Sequence, residues 1–253
     1  DASLRAFAHW SRSSRAIRHR LLSRLAEAVR SLEGEFTSRI VQEAGKPVTL
    51  ARAEVQRAVI TLTWSAEEAK RLGGEVLPID GDAVSRGYGP VFSGLFPRGP
   101  VLAISPFNFP LNLSLHKVGP ALASGSSVML KPPPQAPGAM LLFAEVFEQV
   151  ARGLNVELEK GGHPWDARDR IPLDVLQVVL ASNEVVARAV QDPRIPTLSF
   201  TGSDRVGWML RDQAKRKRVL LELGGNAHVI VHEDADLARA SKRCAWEIGR
   251  AHV

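Results

Sequence analysis

The chain has 253 residues, 45% of them hydrophobic and 24% charged, enough to bury the core of one large or two ordinary domains. The formal charge is +6, but the basic residues are dispersed through helical patterns and do not alternate with aromatics, so no nucleic-acid stripe is expected. One cysteine excludes an internal disulfide framework and fits a reducing, cytoplasmic setting, and no apolar run reaches the roughly 18 residues of a membrane span.

Phe7, Trp10, Ile17, Leu21, Leu25, Val29 and Leu32 recur every three or four residues or multiples of that, which predicts helix with a break at Gly34. Arg12, Arg15, Arg18, Arg20 and Arg24 fall between them and are expected on a solvated face. Further helical patterns run through Phe36, Ile40 and Val41 to Gly45, and from Leu50 to Leu72, where Gly73 and Gly74 end them. A chain that opens in helix, with no strand before it, is expected to start inside a larger domain. From Ala83 to Pro97 the residues alternate around Gly87, Gly89 and Pro90, which predicts two short strands forming an extended arm outside the main sheet.

Strand and helix alternate from there on. Val101–Ile104 is a compact apolar run expected to be buried on both faces, followed by the loop PFNFP at 106–110 and a helix from Leu113 to Ala123. Val128–Leu130 is the next strand, closed by Lys131 and three prolines that cannot continue a ladder. A helix is expected over Met140–Val150, a surface loop over Gly153–Ile171, and a strand over Val175–Leu180. Asn183 is placed to cap a helix running to Val190, and Pro196–Phe200 leads into another strand. Thr201, Gly202 and Ser203 then open a helix over Arg205–Gln213, whose free amides and dipole suit a phosphate, and Lys215–Arg218 closes it with cations. Val219–Leu223 and His228–Val231 read as the last two strands, and Asp234 or Asp236 can cap a terminal helix. None of these turns carries GxGxxG.

Glu222 ends the apolar run Val219–Leu221 and precedes Gly224 and Gly225, which puts an acid at a strand mouth. Ligands of open α/β sheets bind outside such ends, so Glu222 is a candidate general base; on spacing alone it reads equally well as a turn carboxylate.

Five motifs in order carry a resemblance: EAGKP at 43–47, PFNFP at 106–110, Lys131–Pro132, FTGS at 200–203 with Gly207, and LELGGN at 221–226. Together they resemble the aldehyde dehydrogenase superfamily over nearly the whole chain. The resemblance implies an α/β fold with a Rossmann-like, five-stranded parallel sheet, flanking helices and an N-terminal helical segment. It implies oxidation of an aldehyde to an acid with NAD or NADP, through a thiohemiacetal on a cysteine, and no metal. Asn108 matches the Asn that stabilises the oxyanion, against a bland role as a turn cap; Glu222 matches the base that activates the hydrolytic water. The cofactor contacts implied are Ile104, Ser105, Pro106, Phe107, Lys131, Gly202, Ser203, Gly207, Leu223 and Gly224. Pro134 stands where many relatives have a ribose-binding Glu, which leaves NAD against NADP open and removes an acid that would repel a 2′-phosphate.

The resemblance also divides the chain into a helical part of the cofactor domain (1–82), an arm for oligomerisation (83–98) and a dinucleotide-binding core (99–246). Residues 247–253, EIGRAHV, resemble the translation of a sequencing adapter, and this non-native tail is expected to break the helix after Trp246. The family nucleophile falls further beyond Glu222 than this sequence reaches. Cys244, at helical spacing from Leu237 and Ala240, is expected to be a small core residue. The expectation is therefore a fragment of a soluble homodimeric or homotetrameric enzyme, inactive by itself, with no nucleic-acid or membrane partner. A dinucleotide-binding module without catalysis is the alternative.

Overall fold

The computed structural model describes the chain apart from residues 80, 82, 83, 85, 86, 88, 161–166, 227, 252 and 253, with the backbone alone of 246–251. Four helices open it: α1 (Ala2–Trp10), α2 (Arg15–Ser31), α3 (Glu33–Ala44) and α4 (Val48–Arg71). The single pattern expected from Phe7 to Leu32 is two helices, because Ser14 takes extended backbone and its hydroxyl accepts the amide of Ile17, starting α2 afresh. Arg18 is not on a solvated face. It is buried, and its guanidinium donates to the carbonyls of Trp10, Ser11 and Ser13, which the end of α1 leaves without helical partners. The break expected at Gly34 comes at Leu32, and Gly34 lies within α3; Gly45, at φ 63°, ends that helix in the left-handed region.

The arm is a two-residue ladder, β1 (Val76–Leu77) antiparallel to β2 (Val91–Phe92). Its first strand therefore precedes the stretch expected from Ala83, which itself lies outside the described residues; Gly87, with φ 97°, belongs to the turn between the strands.

The main sheet holds β3 (Val101–Ile104), β4 (Val128–Lys131), β5 (Leu176–Val178), β6 (Thr197–Thr201) and β7 (Arg218–Glu222). All neighbours are parallel, in the order β5-β4-β3-β6-β7. The connections are α5 (Asn112–Ser124), α6 (Gly138–Glu159), α7 (Asn183–Gln191) and α8 (Asp204–Ala214), and α9 (Leu237–Ala251) follows β7. The period of two along β3 sends Val101 and Ala103 into a core shared with α1 to α6, and Leu102 and Ile104 into a second core with α7 and α8. Helices thus cover both faces. Trp10 is fully buried in the first core and its indole donates to the Leu122 carbonyl at 3.1 Å, tying α1 to α5. Truncating a buried Trp to Ala typically costs about 3–5 kcal/mol, so this one contact anchors the N-terminal helix to the layer that carries the site.

Several expected boundaries shift where packing overrides local sequence. α6 continues through Gly153 to Glu159 because Ala151 and Leu154 face the core, so the expected loop starts later; its residues 161–166 lie outside the described ones. Ser182, not Asn183, caps α7 and accepts the Val185 amide at 3.5 Å. The basic run does close α8, with Lys215 as its C-cap and the Lys217 amide donating to the Ala214 carbonyl at 3.1 Å, but the Lys217 ammonium serves another helix, reaching the carbonyls of Ala189 and Asp192 at the end of α7. His228–Val231 forms no strand, and Val229, Ile230 and Val231 stay exposed, since no described strand lies beside β7 to pair with them. Asp236 caps α9 by accepting the Arg239 amide at 3.1 Å, and α9 passes Trp246 unbroken to Ala251. Cys244 is half-buried rather than in a core, and no described α9 residue joins either cluster.

Candidate active site

Strand register sets the site. Ile104 pairs with Lys131 on one side and Phe200 on the other, and Thr201 pairs with Glu222, so four strand ends lie along one carboxyl edge. From central β3 the chain runs outward through β4 to β5, then returns to build β6 and β7 on the opposite side. The connections after β3 and β6 leave toward opposite faces, which opens a crevice between them at the edge where such sheets bind ligands.

On one wall of the crevice is the loop after β3. The Ser114 hydroxyl donates to Ser105 Oγ at 2.8 Å, and the Ser105 amide donates to the Lys131 carbonyl at 3.3 Å, so the loop is fixed to β4 and α5 from its first residue. Phe107 is exposed at 45%, and Pro106 beside it is half-buried. Asn108 keeps Oδ1 buried without a hydrogen-bond partner, so this amide end caps no turn. On the other wall Ser203 is the N-cap of α8 but makes no side-chain cap bond, which leaves first-turn amides for another acceptor. The carboxylate of Asp204 shares that turn, exposed to solvent screening. Gly207 lies flush against Leu223, where a Cβ would overlap its side chain, so two of the expected cofactor residues meet directly; Gly224 is exposed beyond them.

Near Glu222, Lys117 has no counterpart in the reading of the sequence, and Thr201, read there only as part of the α8 turn, gains a second role. The ammonium of Lys117 donates to Thr201 Oγ1, and the Thr201 hydroxyl donates to Glu222 Oε2 at 2.8 Å. Lys117 is only 6% exposed. The available signal was its helical register: it sits among Ser114, Leu115 and Val118 on the buried face of α5, where a lysine is out of place unless it has a partner.

With this geometry in view, the comparisons with known proteins decide the family. A sequence model of the aldehyde dehydrogenase family matches residues 1–251. The chain belongs to the aldehyde dehydrogenase family. It is 38% identical over 225 residues to a 3-sulfolactaldehyde dehydrogenase of Priestia aryabhattai, an alignment covering 88% of this chain and 43% of that protein. It is 36% identical to a lactaldehyde dehydrogenase of Methanococcus vannielii, over 89% of this chain and 44% of the relative. Among solved structures, the glyceraldehyde-3-phosphate dehydrogenase of Methanocaldococcus jannaschii complexed with NADP superposes with a TM-score of 0.82 at 30% identity, over 94% of this chain and 48% of that one. The chain thus spans less than half the length of these relatives.

Within this aldehyde dehydrogenase chain, burial lowers the Lys117 pKa from the usual lysine range to about 8, the opposing attraction of Glu222 being smaller. Burial lowers the exposed-edge neighbour His116 as well, again against Glu222. Lys117 has its folded pKa below its unfolded one, so between about pH 8 and the ordinary lysine range the unfolded chain holds more protons. Stability should therefore rise with pH across that window. Lys117→Met should remove up to about 1.4 kcal/mol per pH unit of that slope. Some slope should remain, because burial also lowers Lys46, Lys131 and Lys217. Urea unfolding at pH 7, 8.5 and 10 measures this; a slope unchanged by the substitution would contradict a buried, titrating Lys117.

Proposed function

We propose that this chain is the dinucleotide-binding part of an enzyme that oxidises an aldehyde to a carboxylic acid with NAD or NADP. The observation that carries the reading is the convergence at one crevice of Asn108, the first turn of α8, and Glu222 with its Thr201–Lys117 support. Amide oxygen and nitrogen are interchangeable by a flip, so an Asn108 with an unbonded, buried end is an amide kept for a ligand.

The residues fit a dinucleotide. The α8 amides would receive the pyrophosphate, Ile104, Ser105, Pro106 and Phe107 would line its path, and Leu223 and Gly224 would close the far side against Gly207. Lys131, lowered by burial at the end of β4, would meet the adenosine ribose, and with the exposed Pro134 putting no carboxylate nearby it can also pair with a 2′-phosphate. When bound, the nicotinamide accepts hydride. Asn108 would donate to the aldehyde oxygen as it becomes an oxyanion. Glu222 would take a proton from the water that attacks the acyl group, and Thr201 and Lys117 hold its carboxylate in place from behind.

The thiol of this chemistry is assigned to the half of the family length that this chain does not span. Cys244 is not given that role in this reading: it is half-buried on α9, and no described residue of that helix joins either core. The division into helical part, arm, core and tail at 1–82, 83–98, 99–246 and 247–253 belongs to the same reading, although the family match runs to 251. We also propose a cytoplasmic homo-oligomer: the single cysteine supports the compartment, and the exposed Val76, Val91, Phe92, Leu95 and Phe96 around the arm support association.

Calorimetry of the purified, folded chain should show weak binding of both dinucleotides, and no heat with either would remove the site. Incubated with aldehydes and NAD(P), the chain should form no NAD(P)H. Turnover that Cys244→Ser abolishes would instead make Cys244 the nucleophile.

A further inference from the structure

EAGKP marks the family, yet no role in the crevice has been given to it so far, and its lysine reaches the loop after β3 from behind. Lys46 is 4% exposed and Glu54, on α4, is 0% exposed, and they form an ion pair of 2.5 Å. Each also holds the loop after β3. Lys46 Nζ donates to the Asn108 carbonyl at 2.6 Å and lies 3.8 Å from the centroid of the Phe109 ring. Glu54 Oε1 accepts the amides of Leu111 at 3.0 Å and Asn112 at 3.2 Å, the opening amides of α5, where a carboxylate also complements the helix dipole. Thr61, one helical face along α4, donates to Asn112 Oδ1 at 3.0 Å.

A buried ion pair is a poor device for stability, since desolvating two charges offsets most of their attraction, and an apolar pair of the same volume often serves as well. What an apolar pair cannot do is bind one carbonyl of the loop and the two amides that open the helix after it. Here the ammonium holds the Asn108 carbonyl and the carboxylate holds the start of α5, so the backbone that carries the Asn108 side chain is tied to the buried pair at its own carbonyl and again three residues on. Glu43 of the same motif accepts the Gly138 amide at 2.7 Å and fixes the start of α6, so the motif ties the helical segment to both ligand-bearing loops.

We propose that Lys46 and Glu54 are positioning residues for the oxyanion step: they hold the Asn108 amide in line for the aldehyde oxygen by clamping its own carbonyl and the two amides that open α5 just after it. This rests on the assignment of Asn108 proposed above, and the experiment separates the two. In the full-length enzyme, single-turnover NAD(P)H formation is followed with whichever of acetaldehyde, lactaldehyde, succinic semialdehyde and benzaldehyde the parent oxidises fastest. Lys46→Met keeps the stem and removes the donor to Asn108. It should slow the turnover by about tenfold or more, the scale of a displaced reacting group, with dinucleotide affinity unchanged.

The Lys46→Met/Glu54→Gln variant leaves no buried charge and keeps the acceptor for Leu111 and Asn112. It should fold and show the same slowing, which covers the case in which Lys46→Met alone is unstable. On an Asn108→Ala background, Lys46→Met should have less than about a twofold further effect, because residues acting through one group are not additive. A parental rate in the folded charge-free variant, or a full additional loss on the Asn108→Ala background, would overturn the proposal. Unchanged turnover in Asn108→Ala itself would fell the oxyanion assignment instead, and the positioning role with it.

Discussion

Replacing Asn108 by Ala in the full-length enzyme should slow single-turnover NAD(P)H formation by on the order of a hundredfold or more, the usual loss for one oxyanion donor. Oxyanion stabilisation matters only when charge develops, so the aldehyde KM should move much less than the rate. Asn108→Asp makes the sharper comparison. A carboxylate caps a turn as well as an amide does, so a turn-capping residue would tolerate it. A carboxylate facing a developing oxyanion would be slower than Ala, since it adds repulsion where the amide donated. The expected order of rates is Asn, then Ala, then Asp. An Asp variant near the parental rate would return Asn108 to the turn. The buried amide end without a partner is what favours the first outcome.

The strands of the sheet were largely legible because each is a short apolar run closed by turn residues. Val101–Ile104 matches its expected limits, and β4, β6 and β7 are each displaced by only a residue or so. Their ends fix the crevice, and Lys131, Gly202, Ser203 and Glu222 fall along it. What local pattern could not show is how one element uses another. Arg18 looks like one of five helix-face arginines, but the turn after α1 supplies three carbonyls that its buried guanidinium gathers at once. His228–Val231 has the composition of a strand but, among the described residues, no strand to pair with. Lys117 and Glu54 carry charge at buried helical positions, and the Thr201 hydroxyl and Leu111 amide that they hold lie 84 and 57 residues away in sequence, beyond any window of periodicity, although the ion-pair partner of Glu54, Lys46, is only 8 residues off. The PFNFP motif could be recognised, whereas the clamp around it became visible only with α4 packed against the start of α5.

Glu222→Gln tests the other end of the crevice. Gln is nearly isosteric and still accepts the Thr201 hydroxyl, so the Thr201–Lys117 support and the β6–β7 register should persist. It cannot take a proton from water. Thiolate attack and hydride transfer precede that step, so they should proceed at close to the parental rate, and hydrolysis of the acyl-enzyme should become limiting. Rapid mixing should give a burst of NAD(P)H approaching one equivalent per site, followed by a slow steady phase, whereas Asn108→Ala should weaken or abolish the burst. Steady-state turnover should fall about a hundredfold or more, the range for a lost general base beginning there. The charge change has a second, independent readout. Glu222 supplies the attraction that partly offsets desolvation at Lys117, so removing its charge should move the Lys117 titration below about 8. The unfolding slope assigned to Lys117 should then begin at lower pH. If Glu222→Gln turns over like the parent and leaves that slope in place, Glu222 is a turn carboxylate, and the base lies elsewhere.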